Sequence, residues 1–239
     1  MLINWRDKFD MLILALDTTT FCGSVALLEN QRLIGEVNLD SPVTFSERLL
    51  PAVELLLKFS RCSLQDIDGY AVSVGPGSFT GIRIGLSTIK ALALASGRPV
   101  APVSTLKALA WKLREAPISL ISPVIDAKKG EIYTALYRKE EKELKLKEKI
   151  LPGAYQPDDF LAQIPQNQKI GFLGSGLVVY GQKIKQIFQE KAIFYQRTNF
   201  IAFEIGLLGG DLLQAGKGIS AHEVQPLYLR KSQAEEKNR

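Results

Sequence analysis

One histidine, His222, and two cysteines, Cys22 and Cys62, are all the imidazoles and thiols this chain of 239 residues holds. Zinc sites are built from three or four such groups, with carboxylates as supplements. Most zinc-hydrolase designs are therefore excluded, together with any metallopeptidase that needs two histidines one helical turn apart. A Ser-His-Asp triad is excluded unless His222, near the C-terminus, supplies the base. The cysteines lack Cys-x-x-Cys spacing and are too few for a disulfide framework, so they read as reduced, partly buried thiols of a cytoplasmic protein. Long apolar runs are missing too. The run at 11–16 is too short for a signal-peptide core or a membrane span. No Gly-Lys-Ser or Gly-Lys-Thr occurs, so there is no P-loop.

Charge of either sign is moderate: 30 Lys+Arg stand against 25 Asp+Glu, a net +5. Residues 1–110 are neutral, and residues 111–239, with 20 basic and 15 acidic side chains, carry the whole excess. Such an excess is compatible with contact to an RNA backbone and equally with an ordinary solvated surface.

What is present is a pattern that occurs twice. Residues 12–16 are continuously apolar and end in Asp17, which predicts a strand buried on both faces with a carboxylate at its tip. Thr18, Thr19 and Thr20 form a turn, 23–28 reads as the return strand and 32–39 as a third. Thr44 and Glu47 have capping-box spacing, and Leu49, Leu50, Val53, Leu56 and Leu57 mark a helix that Pro51 should kink. A short helix start at Ser63, a strand over 69–74 and a long helix from the 75–85 loop to Ser96 follow. Gly97 and Pro99 stop that helix. A strand over 100–103 and a helix capped by Ser104, running to about Arg114, lead to Pro117, the expected domain junction.

Beyond Pro117 the plan repeats: an apolar strand over 120–126 ending in Asp126, a turn at 127–130 and a return strand over 131–137. The charged stretch 138–149 reads as one strand around Leu144 and Leu146, its lysines guarding an exposed edge. Helices over 157–164, 176–189 and 199–215 and strands over 169–173 and 192–195 complete the chain. The expectation is an α/β protein with an N-terminal extension (1–10), two related βββαβα-type domains (11–116 and 117–232) and a flexible tail (233–239). This is the plan of the actin/Hsp70/sugar-kinase (ASKHA) fold, in which two domains flank a nucleotide cleft.

Three motifs have both a chemical and a structural reading. Asp17-Thr18-Thr19 could meet a metal and phosphate oxygens or close a hairpin as an Asx turn. Gly75-Pro-Gly-Ser-Phe-Thr-Gly-Ile-Arg-Ile-Gly85 follows a strand and opens a helix, where backbone N–H groups can cradle an anion. Its Gly81 and Gly85, with Thr88 continuing the face, could instead let another helix approach, from a partner or from the same chain. The loop with Gly174 and Gly176 could pack on an adenine ring or be an ordinary strand–helix turn. Asp126 could mirror Asp17, while Lys128-Lys129-Gly130 reads as a hairpin turn.

The strings LALDTTT (14–20), SERLLPAVELLL (46–57), VGPGSFTGIRIG (74–85), VIDAKKGEIYTALY (124–137) and VQPLYLR (224–230) together resemble the TsaB (YeaZ) family over nearly the whole chain from Met11. That resemblance implies the ASKHA fold. It also implies a part in making N6-threonylcarbamoyladenosine (t6A) at position 37 of tRNAs that read codons beginning with A. In that system the related subunit TsaD transfers threonylcarbamoyl from its adenylate and holds a metal through a histidine pair on its first long helix. TsaE is an ATPase. The corresponding helix here begins Thr44-Phe45-Ser46-Glu47-Arg48-Leu49 and has no histidine.

The resemblance therefore implies a subunit with no catalytic residue and no metal site of its own, pairing with TsaD and reaching tRNA through the complex. Self-association is expected when TsaD is missing. The implied interface is Leu49, Leu50, Val53, Gly81, Gly85 and Thr88, with Gly85→Leu expected to break pairing and spare the fold. Asp17, Thr18, Thr19, Gly174 and Gly176 would be a vestigial nucleotide or phosphate site. No cofactor is assigned to the chain, with ATP or ADP conceivable at the level of the complex. The alternatives are an ATPase or kinase-like enzyme with Asp17 and Asp126 around a nucleotide, and a metallopeptidase.

Overall fold

The structure, a computed structural model, describes residues 11–40, 44–140 and 145–230. The expected 1–10 extension and the 233–239 tail lie outside them. Within these residues the chain divides into two compact units. One takes residues 11–40, 44–74, 80–103 and 200–226; the other takes 75–79, 104–140, 145–199 and 227–230.

The first unit begins with β1 (Leu12–Asp17), all six of whose residues are buried, as a continuous apolar run predicts. It pairs antiparallel with β2 (Gly23–Glu29), which pairs antiparallel with β3 (Arg32–Leu39). Helix α1 (Phe45–Phe59) leads to β4 (Gly69–Gly75), parallel to β1, then to α2 (Phe79–Ser96) and β5 (Val100–Ser104). The sheet order is β3-β2-β1-β4-β5. Helix α1 passes through Pro51 within one helical span and buries Leu49, Ala52, Val53, Leu56 and Leu57. The capping box expected at its start does not form. Thr44 Oγ1 instead meets the Glu47 carboxylate at 3.1 Å. The Ser63 start does form, with the Asp66 carboxylate accepting from the Ser63 N–H and hydroxyl, each at 2.8 Å.

After the short helix α3 (Thr105–Trp111), the second unit repeats the plan. Strands β6 (Leu120–Lys128), β7 (Glu131–Glu140) and β8 (Lys145–Tyr155) form a meander. Then come α4 (Pro157–Gln163), β9 (Ile170–Leu173), α5 (Leu177–Phe188) and β10 (Ala192–Phe194). The order β10-β9-β6-β7-β8 equals that of the first sheet once each strand is matched to its counterpart. Its core joins Leu120, Val124, Ile132 and Leu136 to Phe160 of α4, and to Ile184 and Phe188 of α5.

Three expectations change. The stretch 138–149 is not one strand. It holds the end of β7 and the start of β8, whose register runs Arg138↔Lys147 and Glu140↔Lys145. The alternating lysines that suggested a single strand belong to β8 alone. Helix α3 stops at Trp111 rather than near Arg114. The boundary at Pro117, with everything after it in one domain, also gives way. Residues 104–116 cluster with the second unit, and α6 (Ala202–Gln214) returns to the first. Small residues cause this return. A Cβ on Gly206 would lie 2.2 Å from Leu28, and one on Gly209 would lie 2.4 Å from Ala71. Glycines there let α6 lie against β1, β2 and β4, and Ser24 Oγ accepts the N–H groups of Ile201 and Ala202 at 3.2 and 3.0 Å.

Candidate functional site

The end of β1 is a hydrogen-bonded knot. Asp17, Thr18 and Thr19 are each at most 1% exposed. Asp17 Oδ1 accepts from the Thr19 N–H (3.0 Å), the Thr19 hydroxyl (2.7 Å) and Ser73 Oγ of β4 (2.5 Å). Its Oδ2 is buried with no hydrogen-bond partner among the described residues. Burial pushes the Asp17 carboxyl above the ordinary carboxylate range, and the Ser73 and Thr19 hydrogen bonds offset only part of that rise.

This gives a testable sign. A carboxyl whose folded pKa lies above its unfolded value binds more protons in the folded state. Its contribution to stability is then fully present below the unfolded pKa and is lost as pH climbs to the folded value. Asp17→Asn keeps an acceptor at Oδ1 and removes the titration. The melting temperature of the variant minus that of the parent should therefore grow between pH 4 and pH 7. A difference that stays flat with pH would show that Asp17 does not titrate in this range.

Thr18 ties the strand to the helix. Its Oγ1 donates to Gly81 O at 2.7 Å, and a Cβ placed on Gly85 would sit 2.3 Å from that same Oγ1 and 3.2 Å from Leu16 Cδ1. The small-residue face of α2 is thus filled by the end of β1 in the same unit. Gly81 and Gly85 are buried inside the chain, and the expected partner contact through them is corrected by this packing. Leu49, 1% exposed, also points inward.

The second glycine loop is likewise used internally. Gly174 has φ +108°, and a Cβ there would lie 2.4 Å from Val124 O. Gly176 N donates to Val124 O at 2.9 Å. The first N–H groups of α5 are taken as well, Leu177 by Gly174 O and Val179 by Gly176 O, at 3.2 and 3.1 Å. Asp126 holds Lys128 Nζ at 2.7 Å and the Lys128 N–H at 2.8 Å. Partial burial acts to raise its pKa, but the Lys128 contacts outweigh that, and the net shift is downward.

The first unit leaves several large apolar side chains exposed. Leu50 is 54% exposed, Leu55 46% and Phe59 79% on α1, and Leu94 is 54% exposed on α2. A groove of about 450 Å³ is lined by Leu50, Pro51, Val53, Glu54, Leu57, Leu64 and Leu92, so of these four exposed side chains Leu50 alone lines it. Of the six expected interface residues, Leu50 stands on this surface, Val53 forms part of the groove floor and Thr88 is partly exposed. Sequence reasoning missed Leu55, Phe59, Leu64, Leu92 and Leu94. The signal was available: α1 carries more large apolar residues than one buried stripe needs. Among the described residues no group of three or more His, Cys, Asp or Glu side chains could hold a metal ion, and no helix is long and apolar enough to cross a membrane.

Comparison with known proteins gives the family of the chain. Residues 43–238 match the family model described as TsaD, tRNA N6-adenosine threonylcarbamoyltransferase. The tRNA threonylcarbamoyladenosine biosynthesis protein TsaB of Bacillus subtilis is 32% identical over 231 residues, 95% of this chain and 97% of the relative. The chain belongs to the TsaB family. The crystal structure of YeaZ from Pseudomonas aeruginosa superposes with a TM-score of 0.78 at 29% identity, covering 92% of this chain and 100% of that one. A ROK hexokinase from Thermus thermophilus, at 11% identity and a TM-score of 0.52 over 86% of this chain and 100% of that one, shares the fold alone. The TsaB-family chain thus has the α/β fold of a sugar kinase, in line with the two sheets of matching order.

Proposed function

We propose that this chain is the non-catalytic subunit of the machinery that forms t6A on tRNA, and that it docks on TsaD through the exposed apolar surface of α1 and α2. Family membership supports the pathway. The single histidine and the histidine-free start of α1 support a supporting rather than a catalytic part. The observation that carries the docking surface is a groove of about 450 Å³ lined mainly by apolar side chains of α1 and α2, among them Leu50, which is 54% exposed. Apolar patches of this kind mark protein interfaces, since an exposed leucine gains by burial against a complementary face.

The reading differs from the sequence expectation in which side of the helices meets TsaD. The Gly81–Gly85 side holds the unit together, and the Leu50–Leu92 side is turned outward. Two copies of the chain could bury the same groove when TsaD is absent. Titration of labelled TsaD against the chain tests the proposal. Saturable binding that competes with self-association supports it, and binding that persists with Leu50 and Leu92 both charged contradicts it.

A further inference from the structure

The start of β1 lies close to a second hollow of the first unit. Asp68 Oδ2 accepts the Leu12 N–H at 2.9 Å, and the Asp68 N–H donates to Leu12 O at 2.8 Å. The other carboxylate oxygen of Asp68 is 3.9 Å from Arg98 Nη2, longer than a charge-assisted hydrogen bond. Arg98 lines a hollow of about 300 Å³ together with Leu64, Gln65, Leu92, Ala95 and Ser96. The leucines and the alanine give it apolar walls, and the other three side chains offer a guanidinium, an amide and a hydroxyl. Leu64 and Leu92 also wall the groove proposed for TsaD.

The chain that leads into this point is 1–10, outside the described residues. It is rich in large apolar side chains, Met1, Leu2, Ile3, Trp5 and Phe9, and holds one of the two tryptophans of the protein. The opposite end, 231–239, offers no comparable occupant, since Ala234 is its only apolar side chain. Trp5 stands seven residues before Leu12, a reach of up to about 23 Å, while a single carboxylate links Leu12 to Arg98. An indole suits the hollow because it joins a large apolar body to one N–H donor, for which the Gln65 amide supplies an acceptor. Asp10, two residues before Leu12, comes out of β1 next to Asp68 and Arg98. A guanidinium has donors enough for two carboxylates.

We propose that residues 1–10 turn back onto their own unit, seat Trp5 in this hollow and bring Asp10 to Arg98, which then bridges Asp10 and Asp68. The occupant is this segment because it starts from the rim of the hollow, has the length to enter it, and carries the apolar and acidic groups that its walls and Arg98 would take. Burial of the indole supplies the driving force, and the charge pair fixes the register of the segment.

The test is fluorescence of the full chain carrying Trp111→Phe, which leaves Trp5 as the one indole. The Trp111 indole N–H is buried with no hydrogen-bond partner among the described residues, so phenylalanine forfeits no bond there. Acrylamide should quench Trp5 at least about threefold less than free tryptophan, as an indole shielded most of the time requires, and the shielding should hold on dilution. Arg98→Glu and Ala95→Glu, both at exposed positions lining the hollow, should each restore quenching to the free value with the melting temperature within a few degrees. Val178→Glu, at a side chain 92% exposed in the second unit, should leave the shielding in place. Quenching at the free value without any hollow variant would overturn the proposal. Shielding that survives both hollow variants, or that disappears equally with Val178→Glu, would put Trp5 elsewhere and overturn it as well. Shielding lost on dilution would seat Trp5 in a second copy, against the proposal. If Trp111→Phe does not fold, the difference between the spectra of the parent and of Trp5→Tyr gives the same reading. TsaD is absent from every sample, so none of these outcomes bears on its docking.

Discussion

Gly85→Ala is expected to destabilise the protein by about 2–3 kcal/mol, and most of that loss should return when Thr18 is also changed to Ala. The argument is one of sign. Alanine normally stabilises a helix interior over glycine by about 1 kcal/mol, so an exposed or merely loose α2 face would gain from the change. Here the new Cβ would meet Thr18 Oγ1 at 2.3 Å, and relief requires breaking the 2.7 Å bond from Thr18 to Gly81 O. Removing the hydroxyl opens the space, so in the Thr18→Ala background the same change should be neutral or stabilising. In a chain of this length the single variant should melt roughly 5–10 °C lower. Thermal melts of the four proteins of this cycle decide it. Additive effects would mean that Gly85 is not pressed against Thr18. Gly85→Leu, which must also displace Leu16, should be worse still, and any loss of TsaD binding it shows would follow from unfolding rather than from a damaged contact.

Leu50→Arg should do the opposite: it should leave the melting temperature within a few degrees and weaken TsaD binding by at least about thirtyfold, or roughly 2 kcal/mol. Leu50 is 54% exposed, so most of its surface contributes nothing to the folded monomer and is available to a partner. The neighbouring Leu49, 1% exposed, supplies the contrast. Leu49→Ala removes core packing and should cost about 2–5 kcal/mol of stability, with affinity falling only as far as the folded fraction does. Calorimetric titration of TsaD beside thermal melts separates the two residues. Full affinity in Leu50→Arg would move the interface off this surface.

The contrast between these neighbours also shows what the sequence could tell. The apolar run at 12–16 and the return strand read as buried strands, and the meander-plus-helices plan repeated visibly, because burial on two faces leaves a continuous apolar record. The spacing of Gly81 and Gly85 announced a close approach but not what approaches. A glycine face looks the same whether a partner helix or the threonine of the same unit fills it. Only the fold brings Thr18 beside Gly85, across a large separation in sequence. Helix α6 was misplaced for a related reason. Its Gly206, Gly209 and Gly210 mark tight packing, but chain order suggests the preceding sheet, whereas the packing partners are Leu28, Ala71 and Ile13 of the first unit. The charged stretch 138–149 misled because the end of β7 and the start of β8 are both charged, so no change of composition marks where one strand stops and the next begins.

Reconstitution tests the central claim most directly: TsaD, TsaE, unmodified tRNA and a source of threonylcarbamoyl-adenylate, with and without this chain, reading t6A in the product. The account predicts t6A only when the chain is present, none from the chain without TsaD, and loss of product with Leu50→Arg at unchanged folding. Equal t6A in the absence of the chain would contradict it, as would t6A made by the chain with TsaD left out.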